Sequence, residues 1–195
     1  MPTVTGLREE RRGRVAVELD GAPWRTLPAD VVVRAGLSVG RALDRADLRL
    51  VRREVRRAEA LSIATGALAG RDHSRRQLQQ CLERRGVAPA ARDEAVGALQ
   101  RSGLIDDLRV ARTRAAALAS RGYGDAMIRA DLERRGIGAD AREEALRSLD
   151  PEGERARGLI HQRGAGARTA RFLAARGFSP EVVETAGGAD FAPDP

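Results

Sequence analysis

Two adjacent carboxylates, Asp106-Asp107, are the one place in this sequence where paired acids invite a reading as an active site. Gly103 stands just before them. A glycine that ends one helix and an aspartate that caps the next explain the pair without catalysis, since negative charge is favoured at a helix N-terminus. His73 and His161 have no metal-ligand spacing and no Cys/His cluster beside them. The phosphate-cradling loop G-x-x-x-x-G-K-[ST] cannot be written, because the chain contains no lysine. Cys81 has no second cysteine to pair with and reads as a small apolar residue beside Leu82. The expectation is a protein that is not an enzyme and holds no cofactor and no metal.

What remains for function is arginine. All 35 basic residues are arginine, against 28 acids, for a net charge of +7. Residues 1–57 carry a net +5 of this, 108–151 a net +2, and the other two segments balance. That asymmetry suits a polyanion, although a solvated basic tail produces it too. Ser74 lies three residues before Gln77, a capping-box start, and puts Arg75 and Arg76 in a first helical turn, where a cation is disfavoured. Arg84 and Arg85 fall in the last turn of the same helix, where the dipole favours them. With Leu78 at zero and Leu82 at about 40°, Arg76 points to about 160° and Arg84 to about 240°, away from the core. Arg134 and Arg135 repeat Arg84 and Arg85, with Arg121 and Arg129 nearby. These eight arginines are the candidate partner-binding residues; a merely soluble helix face is the alternative for each.

The elements that position them are repeated. Leu82-Glu83-Arg84-Arg85-Gly86-Val87 returns 50 residues later as Leu132-Glu133-Arg134-Arg135-Gly136-Ile137, and more weakly as Leu173-Ala174-Ala175-Arg176-Gly177-Phe178. Leu78 matches Ile128, Ala91 matches Ala141, Ala95 matches Ala145 and Leu99 matches Leu149. Ala91, Ala95, Ala98 and Leu99 run i, i+4, i+7, i+8, an amphipathic helical stripe. Gly86 and Gly136 stand where the preceding stripe stops, the place of a left-handed C-cap. Ala58–Ala69 and Val110–Ala119 suggest an earlier helix in each unit. A period of this length marks one supersecondary unit stacked several times, and such arrays present long surfaces to large partners.

The N-terminal part is different. Val15, Val17 and Leu19 alternate, Asp20-Gly21 signals a hairpin turn, and Trp24, Thr26 and Leu27 form a return strand. Pro28 suits the start of a short helix over 28–35, and Asp44 caps a further helix at 45–53. The fold class expected is mainly α: a tandem array of three-helix repeats preceded by a small β-hairpin module. The segments are a basic tail (1–12), hairpin and short helices to residue 53, repeats at 54–106, 107–151 and 152–187, and a flexible tail at 188–195. No apolar run spans a membrane and nothing resembles a signal peptide, so a cytoplasmic monomer is expected.

Ser74-Arg75-Arg76-Gln77-Leu78 … Leu82-Glu83-Arg84-Arg85-Gly86-Val87 … Leu99 … Gly103-Leu104-Ile105-Asp106-Asp107 … Ala111 resembles the RecX family, regulators of the recombinase RecA. The second copy, through Arg121-Gly122 and Leu132 to Ile137, and the hairpin Gly13-Arg14-Val15 … Leu19-Asp20-Gly21 … Leu27-Pro28 are similar too. The resemblance runs from residue 5 to about 185, with Val110 where an aromatic is usual, His73 in place of an arginine, and Gln77 in place of a glutamate. It implies a curved three-repeat array lying in the groove of the RecA filament on single-stranded DNA, restraining filament growth, ATP hydrolysis and strand exchange. The rival readings are a direct DNA-binding module, touching single- or double-stranded DNA through its phosphates, and a generic helical scaffold. The absence of asparagine and the scarcity of aromatics count against base reading and base stacking.

Overall fold

The computed structural model describes residues 1–70 and 72–188, so the expected flexible tail lies outside it apart from Gly188. The described residues form a three-stranded antiparallel sheet and ten helices. Strands β1 (Val4–Glu10), β2 (Arg14–Leu19) and β3 (Ala22–Pro28) lie in sequence order. The β2–β3 turn is Asp20-Gly21, both at positive φ (52° and 80°), as a two-residue hairpin loop requires.

The expected loose basic tail at 1–12 is instead β1, paired with β2 from Val4↔Leu19 to Glu10↔Arg14. Its sequence, Val4-Thr5-Gly6-Leu7-Arg8-Glu9-Glu10, shows no apolar alternation that would mark a strand. What holds β1 is backbone pairing to the free edge of β2, with Val4 fully buried. Val4, Val15, Val17 and Leu27 form a core with Val31 and Val32 of α1 (Ala29–Arg34), with Leu43, and with Val51 of α2 (Arg45–Leu68).

Helix α2 corrects a second expectation, since the helices read at 45–53 and 58–69 are one helix of 24 residues. Asp44 starts it with a capping box: its side chain accepts from the Asp47 N–H at 2.7 Å, while Asp47 accepts from the Asp44 N–H at 3.0 Å. Its buried stripe is Val51, Glu54, Arg57, Ala60 and Ala64. The apolar pattern lapses at Glu54 and Arg57, which splits the helix in two when apolar spacing alone is read. Both are buried because they answer each other at 3.5 Å, and because the Arg57 guanidinium also reaches Glu94 of α4 (Pro89–Arg101) at 3.1 Å.

Three trios follow: α2, α3 (Arg75–Arg84) and α4; α5 (Asp107–Ala119), α6 (Asp125–Arg134) and α7 (Ala139–Arg147); α8 (Glu152–Arg163), α9 (Ala167–Ala175) and α10 (Pro180–Gly187). Each middle helix ends in the same device. Gly86, Gly136 and Gly177 have φ of 73°, 73° and 78°. The residue after each glycine donates its N–H to the carbonyl five positions back: Val87 to Leu82 (3.1 Å), Ile137 to Leu132 and Phe178 to Leu173 (3.2 Å each). A side chain at such φ is strained, so the glycine period of the sequence is a period of reversals in the chain.

By packing, the chain divides into two units. One contains the sheet, α1, α2, α3 from Leu78 onward, and α4; the other contains residues 72–77 and the described residues from Gly103 to Gly188. In the second unit Val110, Ala111, Ala115 and Leu118 pack on Ile128, Leu132, Ile137 and Ala145, and Ala156 and Ile160 pack on Leu173, Phe178 and Ala186.

Candidate functional site

The start of α3 is held by residues of the second trio. Ser74 accepts at its hydroxyl from the Gln77 N–H (3.2 Å), while the Gln77 side chain accepts from the Ser74 N–H (3.1 Å). The Ser74 hydroxyl donates onward to the Arg135 carbonyl at 2.5 Å. The Arg75 N–H donates to the Asp107 carboxylate at 2.7 Å. The acidic pair is thus divided: Asp106 caps its own helix α5, accepting from the N–H groups of Leu108 and Arg109, and Asp107 caps α3. A carboxylate at the α3 N-terminus offsets the unfavourable placement of Arg75 and Arg76 in the first turn.

The same join recurs 50 residues on. The Gly124 N–H donates to the Arg176 carbonyl at 2.9 Å, and the Asp125 N–H donates to Glu152 at 2.6 Å. Gly124 stands where Ser74 stood, and a Cβ there would come within 2.3 Å of the Phe178 backbone nitrogen. At the first join the side chain of Arg76 lies directly on Gly136, so a Cβ on that glycine would meet the Arg76 Cβ at 2.6 Å and Cδ at 2.1 Å. Gly86 has no such neighbour.

The eight candidate arginines separate by partner. Arg75, Arg76, Arg84, Arg85 and Arg121 are exposed and pair with no carboxylate among the described residues. Arg134 is exposed, with Asp131 at 3.5 Å. Arg129 and Arg135 carry close carboxylate partners. Arg129 grips Glu143 with both arms of its guanidinium (2.7 and 3.1 Å), and Arg135 donates to Asp131 at 2.9 Å. These ion pairs brace the second trio. Of the framework residues, Leu78, Leu82 and Leu132 are fully buried, and Gly103 turns the chain at φ 72° between α4 and α5.

Sequence reasoning misses the hub of this unit. Asp131 accepts a fork from Arg114 of α5 (2.8 and 3.1 Å) as well as the hydrogen bond from Arg135. The Arg114 hydrogen bonds, with Arg135 assisting, hold its carboxyl down at about 2. A repeated ion pair escapes it as well: Arg92–Glu83 at 3.2 Å recurs at the same offset as Arg142–Glu133 at 3.9 Å. The signal is present, since all four residues obey the period, but the period is read from leucines, alanines and glycines. Among the described residues, no three His, Cys, Asp or Glu side chains converge to hold a metal ion, and no helix is long and apolar enough to cross a membrane.

Comparison with known proteins bears on this arrangement directly. The family model for the second three-helix domain of RecX matches residues 106–146, which is α5, α6 and nearly all of α7. A regulatory protein RecX of Leuconostoc mesenteroides is 30% identical over 104 residues, covering 53% of this chain and 39% of the relative. The match thus spans about two fifths of that relative's length. A crystal structure of a regulatory protein RecX superposes with a TM-score of 0.83 at 22% identity, over 95% of this chain and 98% of that one. A crystal structure of RecX from Lactobacillus salivarius gives 0.59 at 18% identity, over 67% and 94%. At such identities the structures speak for the fold, and the family-model match falls on the trio built around Asp131. Residues 106–146 are thus similar to the second three-helix domain of RecX, and the fold around them is similar to that of a regulatory protein RecX.

Proposed function

We propose that the protein is a non-catalytic regulator, mainly an inhibitor, of RecA. It acts as a monomer in the cytoplasm, binding in the groove of the RecA–single-stranded-DNA filament and modulating ATP hydrolysis, filament growth and strand exchange. The observation that carries this reading is the match of the second trio to a RecX domain, on a framework whose exposed arginines Arg76, Arg84, Arg85 and Arg121 have no carboxylate partners among the described residues. Several weak contacts made at once by one repeat framework give an affinity that no single contact supplies. A pull-down with RecA–single-stranded-DNA filaments, against RecA alone and DNA alone, tests it. Capture by the filament well above both controls is expected, and capture by neither filament nor RecA rejects it.

A second reading, direct binding to DNA phosphates, has one specific observation in its favour. On α2 the exposed residues Arg45, Arg49, Arg52 and Arg56 recur at i, i+4, i+7, i+11 and pair with no carboxylate among the described residues. Such a stripe spans about 16 Å along one helix face and suits a phosphate backbone.

A further inference from the structure

The third trio holds a concentration of charge that its balanced total conceals. Between Arg155 and Pro180 there are six arginines and no acid; Glu152, Glu154, Glu181 and Glu184 all lie outside that stretch. Arg155 pairs with Asp125, and Arg157 has Glu154 at 3.9 Å. Arg163, Arg168, Arg171 and Arg176 have no carboxylate partner among the described residues.

The chain also gathers aromatics here that are far apart in sequence. The Arg163 guanidinium lies over the Phe172 ring at 3.9 Å. Arg176 lies 4.9 Å from Phe172 and 4.6 Å from the ring of Tyr123, which arrives from the α5–α6 connection. Arg176 is fixed there by donating to the Arg121 carbonyl at 2.7 Å. Arg163, Phe172, Arg176 and Tyr123 therefore form a run of alternating cations and rings. Phe172 and Arg176 are only half-buried, and Arg121, Arg163, Arg168 and Arg171 stand around them, with Tyr123 closing the run.

We propose that this cluster is a binding surface for single-stranded nucleic acid. Bases stack on Phe172, Tyr123 and the guanidinium planes of Arg163 and Arg176, while Arg121, Arg168 and Arg171 meet the phosphates. Duplex bases are already stacked on one another and offer no face to such a run, whereas unpaired bases do. Phe172 and Tyr123 rest on the apolar clusters beneath them, which holds the guanidinium planes above the rings in place. The inference rests on the direct-DNA reading above and adds a site and a strand preference to it.

The test uses the full chain without RecA, by fluorescence anisotropy against three labelled probes of equal length: oligo-dT, an abasic deoxyribose-phosphate strand, and a duplex. Oligo-dT should bind about tenfold tighter than the abasic strand. Phe172→Leu, which keeps an apolar side chain at a half-buried position, should abolish that advantage while leaving abasic binding unchanged. Arg163→Ala, at an exposed position, should weaken oligo-dT about as much. Equal binding of oligo-dT and the abasic strand, or duplex binding as tight as oligo-dT, overturns this site but leaves phosphate contacts by α2 standing. Oligo-dT affinity unchanged in Arg163→Ala and Phe172→Leu also overturns it. No binding to any probe overturns this site and the direct-DNA reading together, and points to an acidic protein as the partner of these arginines.

Discussion

Asp131 shows how one carboxylate sets the chemistry of its neighbours. It gathers Arg114 and Arg135, with Arg134 at 3.5 Å, on a side chain only 15% exposed. Its carboxyl sits at about 2 in the folded chain against 3.8 for the free side chain, so the folded form binds the proton less readily than the unfolded one. The stabilisation is therefore complete above about pH 4 and is lost as pH falls towards 2. A shift of this size corresponds to about 2 kcal/mol. Asp131→Asn should lower the melting temperature at pH 7, and the gap to the parent chain should narrow steadily between pH 4 and pH 2.5. A gap that stays constant with pH would mean the carboxylate charge contributes nothing. The residue is not legible in the sequence because its partners lie at i+3, i+4 and i−17 on two helices, a set that no period announces.

At the scale of the element, much is legible: the hairpin with its Asp20-Gly21 turn, the threefold repeat, and the glycines at the helix ends, because turns and caps are local and glycine marks them. The failures have a common cause. Strand β1 is made by pairing to a neighbour and α2 by burying Glu54 against Arg57, and both depend on partners distant from the local pattern. Contacts also divide glycines that the sequence treats alike. Gly86→Ala meets no neighbour and should cost about 1 kcal/mol for its positive φ alone. Gly136→Ala adds a collision with Arg76 and should cost about 1–3 kcal/mol more. Chemical denaturation of the two variants, and of Gly136→Ala combined with Arg76→Ala, checks this. The double variant should regain part of the stability, because the Cγ and Cδ that collide are gone. Equal costs at positions 86 and 136 would show that Arg76 moves aside freely. Gly124→Ser, which copies the residue of the first join into the second, should be worse than either, since backbone rather than a side chain blocks it.

At the scale of the whole molecule, two joins, Ser74 and Asp107 at the start of α3, and Gly124 and Glu152 at the start of α6, hold these helix starts through hydrogen bonds to backbone groups while leaving arginines outside. Fold and partner recognition should therefore separate. Changing Arg76, Arg84 and Arg134 to Ala should lower the melting temperature by little, since exposed charges contribute at most about 1 kcal/mol each. The same variant should weaken capture by RecA–single-stranded-DNA filaments. If these three touch DNA phosphates, the salt dependence should flatten by about 0.7 in slope for each phosphate no longer neutralised. A large fall in stability would instead make these arginines structural. The most direct measurement is the steady-state ATPase of RecA on single-stranded DNA as the protein is titrated in. Suppression at substoichiometric amounts, with no ATP hydrolysis by the protein alone, is the predicted result. RecA turnover unchanged at an equimolar ratio would contradict it.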